Sequence, residues 1–271
     1  PVRARGIQLE ACFPWQKNTR WKRVRLGDIP PPMSLNSQYQ FPEPPASAHE
    51  RMEAELLSGR LPPGSLLEPD VIARRLGLSL LDMREAVLRL STDGLVIIDG
   101  KGGLRAAPVS VADLRDLTAT RIAIEGEALR ASLAAGDETW DAALRASFAA
   151  LDAAEQAFGE DPAGQMDQWE RCNAAFHGAL VAACPLRRLL RFNALLYKQH
   201  ERYRRLSLAR RPPSRNVQAE HQTLYQAALK RDGLEACRVL AEHIGRTADL
   251  LSGGIRDGRW FGAPVGPEGE A

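Results

Sequence analysis

Paired cysteines, a charge imbalance and long apolar runs are all missing from this chain, and each absence removes a class of protein. Only four cysteines occur in 271 residues (Cys12, Cys172, Cys184, Cys237), with no CxxC pair and no regular spacing. They read as small apolar residues of a reduced interior rather than as a disulfide framework. The formal net charge is only +2, which excludes a histone-like polybasic binder but leaves room for a small basic patch. No stretch approaches 18 uninterrupted apolar residues, so no membrane span is expected. The first residues lack the charged-then-apolar order of a signal peptide. A soluble, cytoplasmic protein is the expectation. Hydrophobic residues make up 44% of the chain, ordinary for a globular protein, and the length allows about two domains at ~100–200 residues each.

Residues 1–46 differ from the rest. Arg3, Arg5, Lys17, Arg20, Lys22, Arg23 and Arg25 are mixed with the prolines of IPPPM and FPEPPA, without helical or strand period. Such a composition buries too little apolar area to offset chain entropy. It reads as a disordered leader, as residues upstream of a start at Met33, or as an extended basic arm adding phosphate contacts. Order is expected from Ser47, where Ser47-Ala-His-Glu50 spells a capping box. Three helices are predicted, the first ending at Ser58-Gly59 and the others near 69–76 and 80–93. Leu95–Ile98 and Leu104–Ala107 follow as strands around the glycine-rich loop 99–103. Three helices and a hairpin in about 60 residues form a winged helix-turn-helix, placed at 47–109.

From Ser110 the period is helical throughout. Helices fit 110–135, 138–158, 164–183, 186–207, 214–231 and 234–251, broken at Gly136, Pro162, Pro185, Pro212-Pro213 and Gly233. The predicted fold is therefore mainly α: a winged helix-turn-helix, then a six-helix all-α bundle over 110–253 and a flexible tail over 254–271.

In a helix-turn-helix the second helix offers its N-terminal residues to the major groove. Here it opens Ser79-Leu80-Leu81-Asp82-Met83-Arg84. Met83, Val87 and Leu90 share an inward face, and Arg84 points the other way, toward guanine or phosphate. Lys101 and Arg105 of the wing are expected to face DNA as well. Residues 48–108 carry eight Lys or Arg against nine Asp or Glu, so phosphate attraction is weak for a DNA-binding domain. A winged helix that has kept its fold and lost DNA binding is the alternative.

In the bundle, Asn173 and His177 share a helix face at i, i+4, while His221 and His243 fall on the fifth and sixth helices. Three inward imidazoles could hold a divalent metal, with Asn173 as a weaker oxygen ligand. The gaps of 44 and 22 residues match no short metal signature, and a satisfied core histidine is the ordinary alternative. Arg121 either forks onto a bound carboxylate or pairs with Glu125 at i, i+4. Arg202, Arg204 and Arg205 on the fourth helix could also line the cavity, but read first as a solvated charge face. His49 and His200 have no evident partner. Glu220 and Glu242 each precede a histidine and so point about 100° away from it.

The segments GRLPPGSLLE, IARRLGLS and MREAVLRLSTDGLV, followed by a glycine-containing wing, resemble the DNA-binding domain of the GntR family across residues 48–108. The recognition helix departs from the family's usual Ser-Arg-Thr-Pro opening at Leu80, Leu81 and Asp82, and Asp70 stands where a DNA-contacting arginine is common. Residues 110–250 resemble the FCD effector domain of the FadR-type branch, through Arg121-Ile-Ala-Ile-Glu125, N-x-x-F-H, E-H-Q and L-x-E-H. The resemblance implies a divalent metal, zinc first, at Asn173, His177, His221 and His243. Six-helix metal-binding members fit better than the metal-free fatty-acyl-CoA sensor. Three imidazoles and an amide would leave the metal's charge uncompensated, so a small organic-acid effector, reached also by Arg121, is expected. The resemblance further implies a homodimeric repressor on double-stranded operator DNA, not an enzyme. A metal–carboxylate binding protein with degenerate DNA binding, or a metal-dependent enzyme, are the competing functions.

Overall fold

The computed structural model describes residues 46–208 and 215–256. All but Ala46 of the expected basic leader falls outside the described residues. So does the tail from 257 onward. Among the described residues, no helix is long and apolar enough to cross a membrane.

Helix α1 (Ala48–Leu57) starts where the capping box predicts. Ser47 Oγ accepts from the Glu50 amide (3.2 Å), and Glu50 Oε2 accepts from the Ser47 amide (2.7 Å), which satisfies two otherwise orphaned donors. Helix α2 (Pro69–Leu76) ends at Gly77, whose φ of +61° turns the chain. That left-handed conformation suits glycine and redirects the backbone into helix α3 (Leu80–Thr92). Met83, Ala86, Val87 and Leu90 form the buried face of α3 at helical period. They join Met52, Leu56 and Leu95 in a first apolar core. Strands β1 (Val96–Ile98) and β2 (Leu104–Ala106) pair antiparallel in the register Val96↔Ala106, Ile97↔Arg105 and Ile98↔Leu104. Asp99 Oδ1 accepts from the amides of Lys101 (3.0 Å) and Gly103 (2.7 Å), which closes the wing loop.

Six long helices follow: α4 (Val111–Ala135), α5 (Glu138–Glu160), α6 (Pro162–Val181), α7 (Arg187–Leu208), α8 (Val217–Leu229) and α9 (Gly233–Arg256). Two boundaries correct the sequence expectation. Pro162 is the first residue of α6 rather than part of the break before it, with Asp161 as the cap, because proline's missing amide costs nothing in a first turn. Helix α9 runs through Gly253 and Gly254 to Arg256; the expected tail thus starts inside a helix. Helix α4 packs on α6, α7 and α9, α5 on α6 and α8, and α8 on α9. Phe176, Leu144, Leu151, Leu224 and Ile244 are fully buried in a second apolar core, where truncating Phe176 to alanine would cost about 3–5 kcal/mol.

The faces of α7 do two jobs. Asn193, Tyr197, His200 and Arg204 are buried within the bundle. Residues between them reach the winged helix. Gln199 Nε2 donates to Asp93 O (2.9 Å) and Lys198 pairs with Glu53 (2.6 Å). Arg202 donates to Ala107 O, whereas Tyr203 stays within the bundle, its Oη accepting from the Ser110 amide (3.3 Å) and donating to Asp113 (2.5 Å) at the start of α4. The approach is close enough that a Cβ on Gly94 (φ +72°) would stand 2.6 Å from the Gln199 amide nitrogen.

Candidate metal centre and candidate DNA-facing surface

His177 on α6, His221 on α8 and His243 on α9 are all buried and converge. One ligand-capable atom from each lies within 4.8 Å of the others. The ring centroids of His221 and His243 are 4.6 Å apart, with His177 at 5.7 and 5.5 Å from them. The helical spacing brings Asn173 onto the same wall of the cavity one turn before His177.

Each imidazole is held from behind by a carboxylate that sequence reasoning did not assign. His177 Nδ1 lies 2.8 Å from Glu125 Oε1, His221 Nδ1 2.7 Å from Glu155 Oε1, and His243 Nδ1 2.9 Å from Glu220 Oε2. A carboxylate at Nδ1 places the ring proton there and leaves the Nε2 lone pair facing inward, the arrangement that orients histidine for metal. Nε2 of His177 and of His221, and Oδ1 of Asn173, are buried and have no hydrogen-bond partner among the described residues. Asn173 is itself oriented, since its Nδ2 donates to Tyr197 Oη (2.7 Å). These orphaned lone pairs fit a cation: buried polar atoms are normally satisfied, and a donor set of three imidazoles and one amide oxygen suits zinc or a similar divalent ion.

Glu220 does point away from His221 on its own helix, as its position predicts, but it meets His243 of the next helix instead. Burial alone would raise the Glu125 carboxyl, yet Arg121 and His177 outweigh it and hold it at about 2. Burial holds His177 down at about 4 despite Glu125, so at neutral pH the ring is an uncharged ligand. His243 is likewise held well below its ordinary value by burial and by the neighbouring imidazoles.

Arg121 pairs with Glu125 (Nε to Oε2, 2.7 Å) and also lines the cavity. Arg202, Arg204 and Arg205 of α7 do not form a solvated face, and of the two readings Arg204 follows the other by lining the cavity. Arg204 is buried, forked onto Glu170 (3.1 and 2.9 Å), and its guanidinium carbon lies 4.7 Å from the Tyr197 ring centroid. Arg202 is buried against Ala107 O, and Arg205 pairs with Asp167 (2.5 Å) and Glu201 (2.7 Å). His200 also departs from expectation: it is fully buried, lines the cavity and lies 3.1 Å from Arg204. His49 lies 3.5 Å from Asp93. The cavity has a volume of about 210 Å³, and its wall adds Arg215 from the segment before α8. Glu125, Glu155 and Glu220 stand one imidazole away from the candidate ligand atoms. The cavity wall also carries Arg121, Arg204 and Arg215, which pair with Glu125, Glu170 and Glu220.

On the other domain, Ser79 caps α3 by accepting from the Asp82 amide (3.1 Å). Leu80, Leu81 and Arg84 are exposed at the start of α3, Leu81 being 75% exposed. Lys101 is exposed at the tip of the wing. Arg105 is occupied within the wing, donating to Asp99 (2.9 Å) and to Gly64 O (3.1 Å). Asp70 is exposed in the first turn of α2, where its charge complements the helix N-terminus.

The FCD domain family matches residues 116–246. The HTH-type transcriptional regulator BphR of Paraburkholderia xenovorans is 40% identical over 202 residues, 74% of this chain and 82% of the relative. The HTH-type transcriptional repressor GlaR of Escherichia coli is 27% identical over 197 residues, 71% of this chain and 89% of that protein. The solved structure of E. coli McbR/YncC shares the fold, with a TM-score of 0.65 at 20% identity over 77% of this chain and 96% of the other. A winged helix-turn-helix joined to a helical bundle, the FCD match and a regulator at this identity lead to one assignment: the chain belongs to the GntR family of transcriptional regulators, in the FadR-type branch with an FCD domain.

Proposed function

We propose that this regulator is a homodimeric repressor whose hold on operator DNA is set by a small carboxylate bound at a divalent metal, zinc first, in the helical domain. The observation that carries the reading is the set of three converging buried imidazoles, each with a carboxylate at Nδ1, with Nε2 of His177 and of His221 left without a partner among the described residues. His177, His221, His243 and Asn173 Oδ1 would hold the ion. Bound there, a divalent cation supplies a Lewis-acid anchor for a carboxylate oxygen. Arg121, already fixed by Glu125, offers its remaining guanidinium donors to the same anion.

Helix α7 gives the effector a route to DNA. Tyr197, which bonds Asn173, lies on the same helix as Lys198, Gln199 and Arg202, which grip the winged helix. An effector that favours one position of α7 shifts the population of winged-helix placements, and so the fit of a dimer to a palindromic operator. Typical coupling of about 1–3 kcal/mol changes operator affinity roughly 5–150-fold. Arg84 and Lys101 supply charge to the DNA, and the exposed Leu80 and Leu81 suit contact with thymine methyl groups.

Metal content and operator binding test the reading together. Protein purified without chelator or His-tag is expected to hold close to one metal per chain and to shift its own upstream DNA, with small carboxylates altering the shift. His221→Ala is expected to lose the metal and keep its helical content; stoichiometric metal in that variant refutes the ligand set. Arg84→Ala is expected to cost about 1–3 kcal/mol of operator affinity. Metal without any DNA shift favours the metal–carboxylate binding protein with a silent winged helix.

A further inference from the structure

Four histidines line the cavity, and one of them has the opposite polarity from the other three. His200 sits on α7, apart from the helices that carry the cluster. Its Nδ1 lies 3.1 Å from Arg204 Nη1. A guanidinium only donates, so Nδ1 accepts and the proton of the neutral ring is on Nε2. Arg204 cannot turn away, because its fork is closed on Glu170 at 3.1 and 2.9 Å. Burial, with the cations Arg121 and Arg204 nearby, holds His200 well below its ordinary pKa and keeps it neutral. The Nε2–H is thus a fixed donor, fully buried in the cavity wall, and it meets no acceptor among the described residues. The three cluster histidines present lone pairs at the same atom.

A second wall repeats the observation. Arg215 spends Nη2 on Thr247 Oγ1 (2.7 Å) and lies 3.3 Å from Glu220, while its Nε and Nη1 are buried without acceptors among the described residues. Buried donors are ordinarily satisfied. Donors left open in the wall of a cavity of about 210 Å³ call for a ligand that brings its own oxygens to them.

We propose that His200 is a specificity-determining residue of this cavity, donating its Nε2–H to a second carboxylate of the effector, so that the site selects dicarboxylates over monocarboxylates. The inference rests on the reading of the cavity as the effector site. The first carboxylate meets the histidine cluster and Arg121. The second takes the His200 donor, with Arg215 adding positive charge.

Calorimetric titration of the zinc-loaded full chain tests this with matched acids: butyrate against succinate, and valerate against glutarate. The wild type is expected to prefer the dicarboxylate of each pair by at least about tenfold, the span of a charge-assisted hydrogen bond. His200→Phe removes the donor and is expected to erase that preference while leaving monocarboxylate affinity within about threefold. His200→Asn keeps an acceptor for Arg204 but brings no donor to the Nε2 position, so it should behave the same way and decides the matter if the phenylalanine variant does not fold. His200→Gln, whose amide reaches further, is expected to recover part of the preference. A wild type without preference, or a folded His200→Asn that keeps it, overturns the proposal. Zinc stoichiometry on the same samples separates the two readings. A wild type that binds no zinc overturns the metal centre, whereas a dicarboxylate preference that survives without zinc and still depends on His200 supports the assignment.

Discussion

Glu155 offers the cleanest perturbation of the candidate metal centre. Glu125 also pairs with Arg121, and Glu220 with Arg215 and Arg246, so removing either disturbs several contacts. Glu155 contacts His221 (2.7 Å), is 6% exposed in its side chain and pairs with no arginine or lysine among the described residues. Glu155→Ala removes the acceptor that fixes the His221 tautomer. The released ring is free to place its proton on Nε2, where it blocks metal, and zinc affinity is expected to fall about 10–100-fold, or roughly 1.4–2.7 kcal/mol. Glu155→Gln retains an acceptor and loses the charge, which places it at the weaker end of that range. Both variants also leave a buried donor less well satisfied, so the metal-free protein should lose about 1–3 kcal/mol of stability. Competition against a chromogenic chelator measures the zinc affinity, and urea unfolding of the metal-free protein measures the stability. Reduced stability with zinc affinity unchanged would refute the reasoning, because it would make Glu155–His221 a structural pair with no bearing on metal.

Acid should destabilise the metal-free protein. His177 titrates at about 4 when folded against an ordinary 6.5, so between those values the unfolded chain binds more protons. Its contribution is full above pH ~6.5 and is lost as pH falls toward 4, for about 3 kcal/mol in total; urea midpoints at pH 7.5 and 4.5 check this, and a rise on acidification contradicts it. Asn173→Asp adds a negative charge at the ligand set and is expected to tighten zinc on the order of tenfold, while weakening small carboxylates; tighter binding of both would show that the anion does not answer the metal's charge. Gln199→Ala combined with Arg202→Ala removes the side chains that join α7 to Asp93 O and Ala107 O of the winged helix. Effector affinity without DNA should stay within about twofold, while the effector's influence on operator affinity shrinks toward none. An unaltered gel-shift response would remove α7 as the route.

Most of the architecture was legible in local chemistry. The capping box at Ser47, the glycine turn at Gly77, the wing loop held by Asp99 and the inward face of Met83, Val87 and Leu90 are all short-range features that a helical or strand period exposes. The convergence of His177, His221 and His243 was approachable as well, since each stands on a helix of the bundle and the FCD resemblance put them in order. What sequence could not reveal is which carboxylate stands behind which imidazole. Glu125, Glu155 and Glu220 lie 52, 66 and 23 residues from their histidines, and no period links such positions. The arginines of α7 are ambiguous in sequence for a related reason: a run of charge looks solvated until Glu170, 34 residues away, closes on Arg204. His200 had no partner in sequence because its polarity is set by Arg204, and Arg204 in turn by Glu170. By itself the sequence determined the helices and the wing, which follow from neighbours within a turn or two, while the candidate ligands were named through the FCD resemblance. Tertiary structure alone decided tautomers, buried pairings and the two faces of α7, because those depend on which helices the packed core brings side by side.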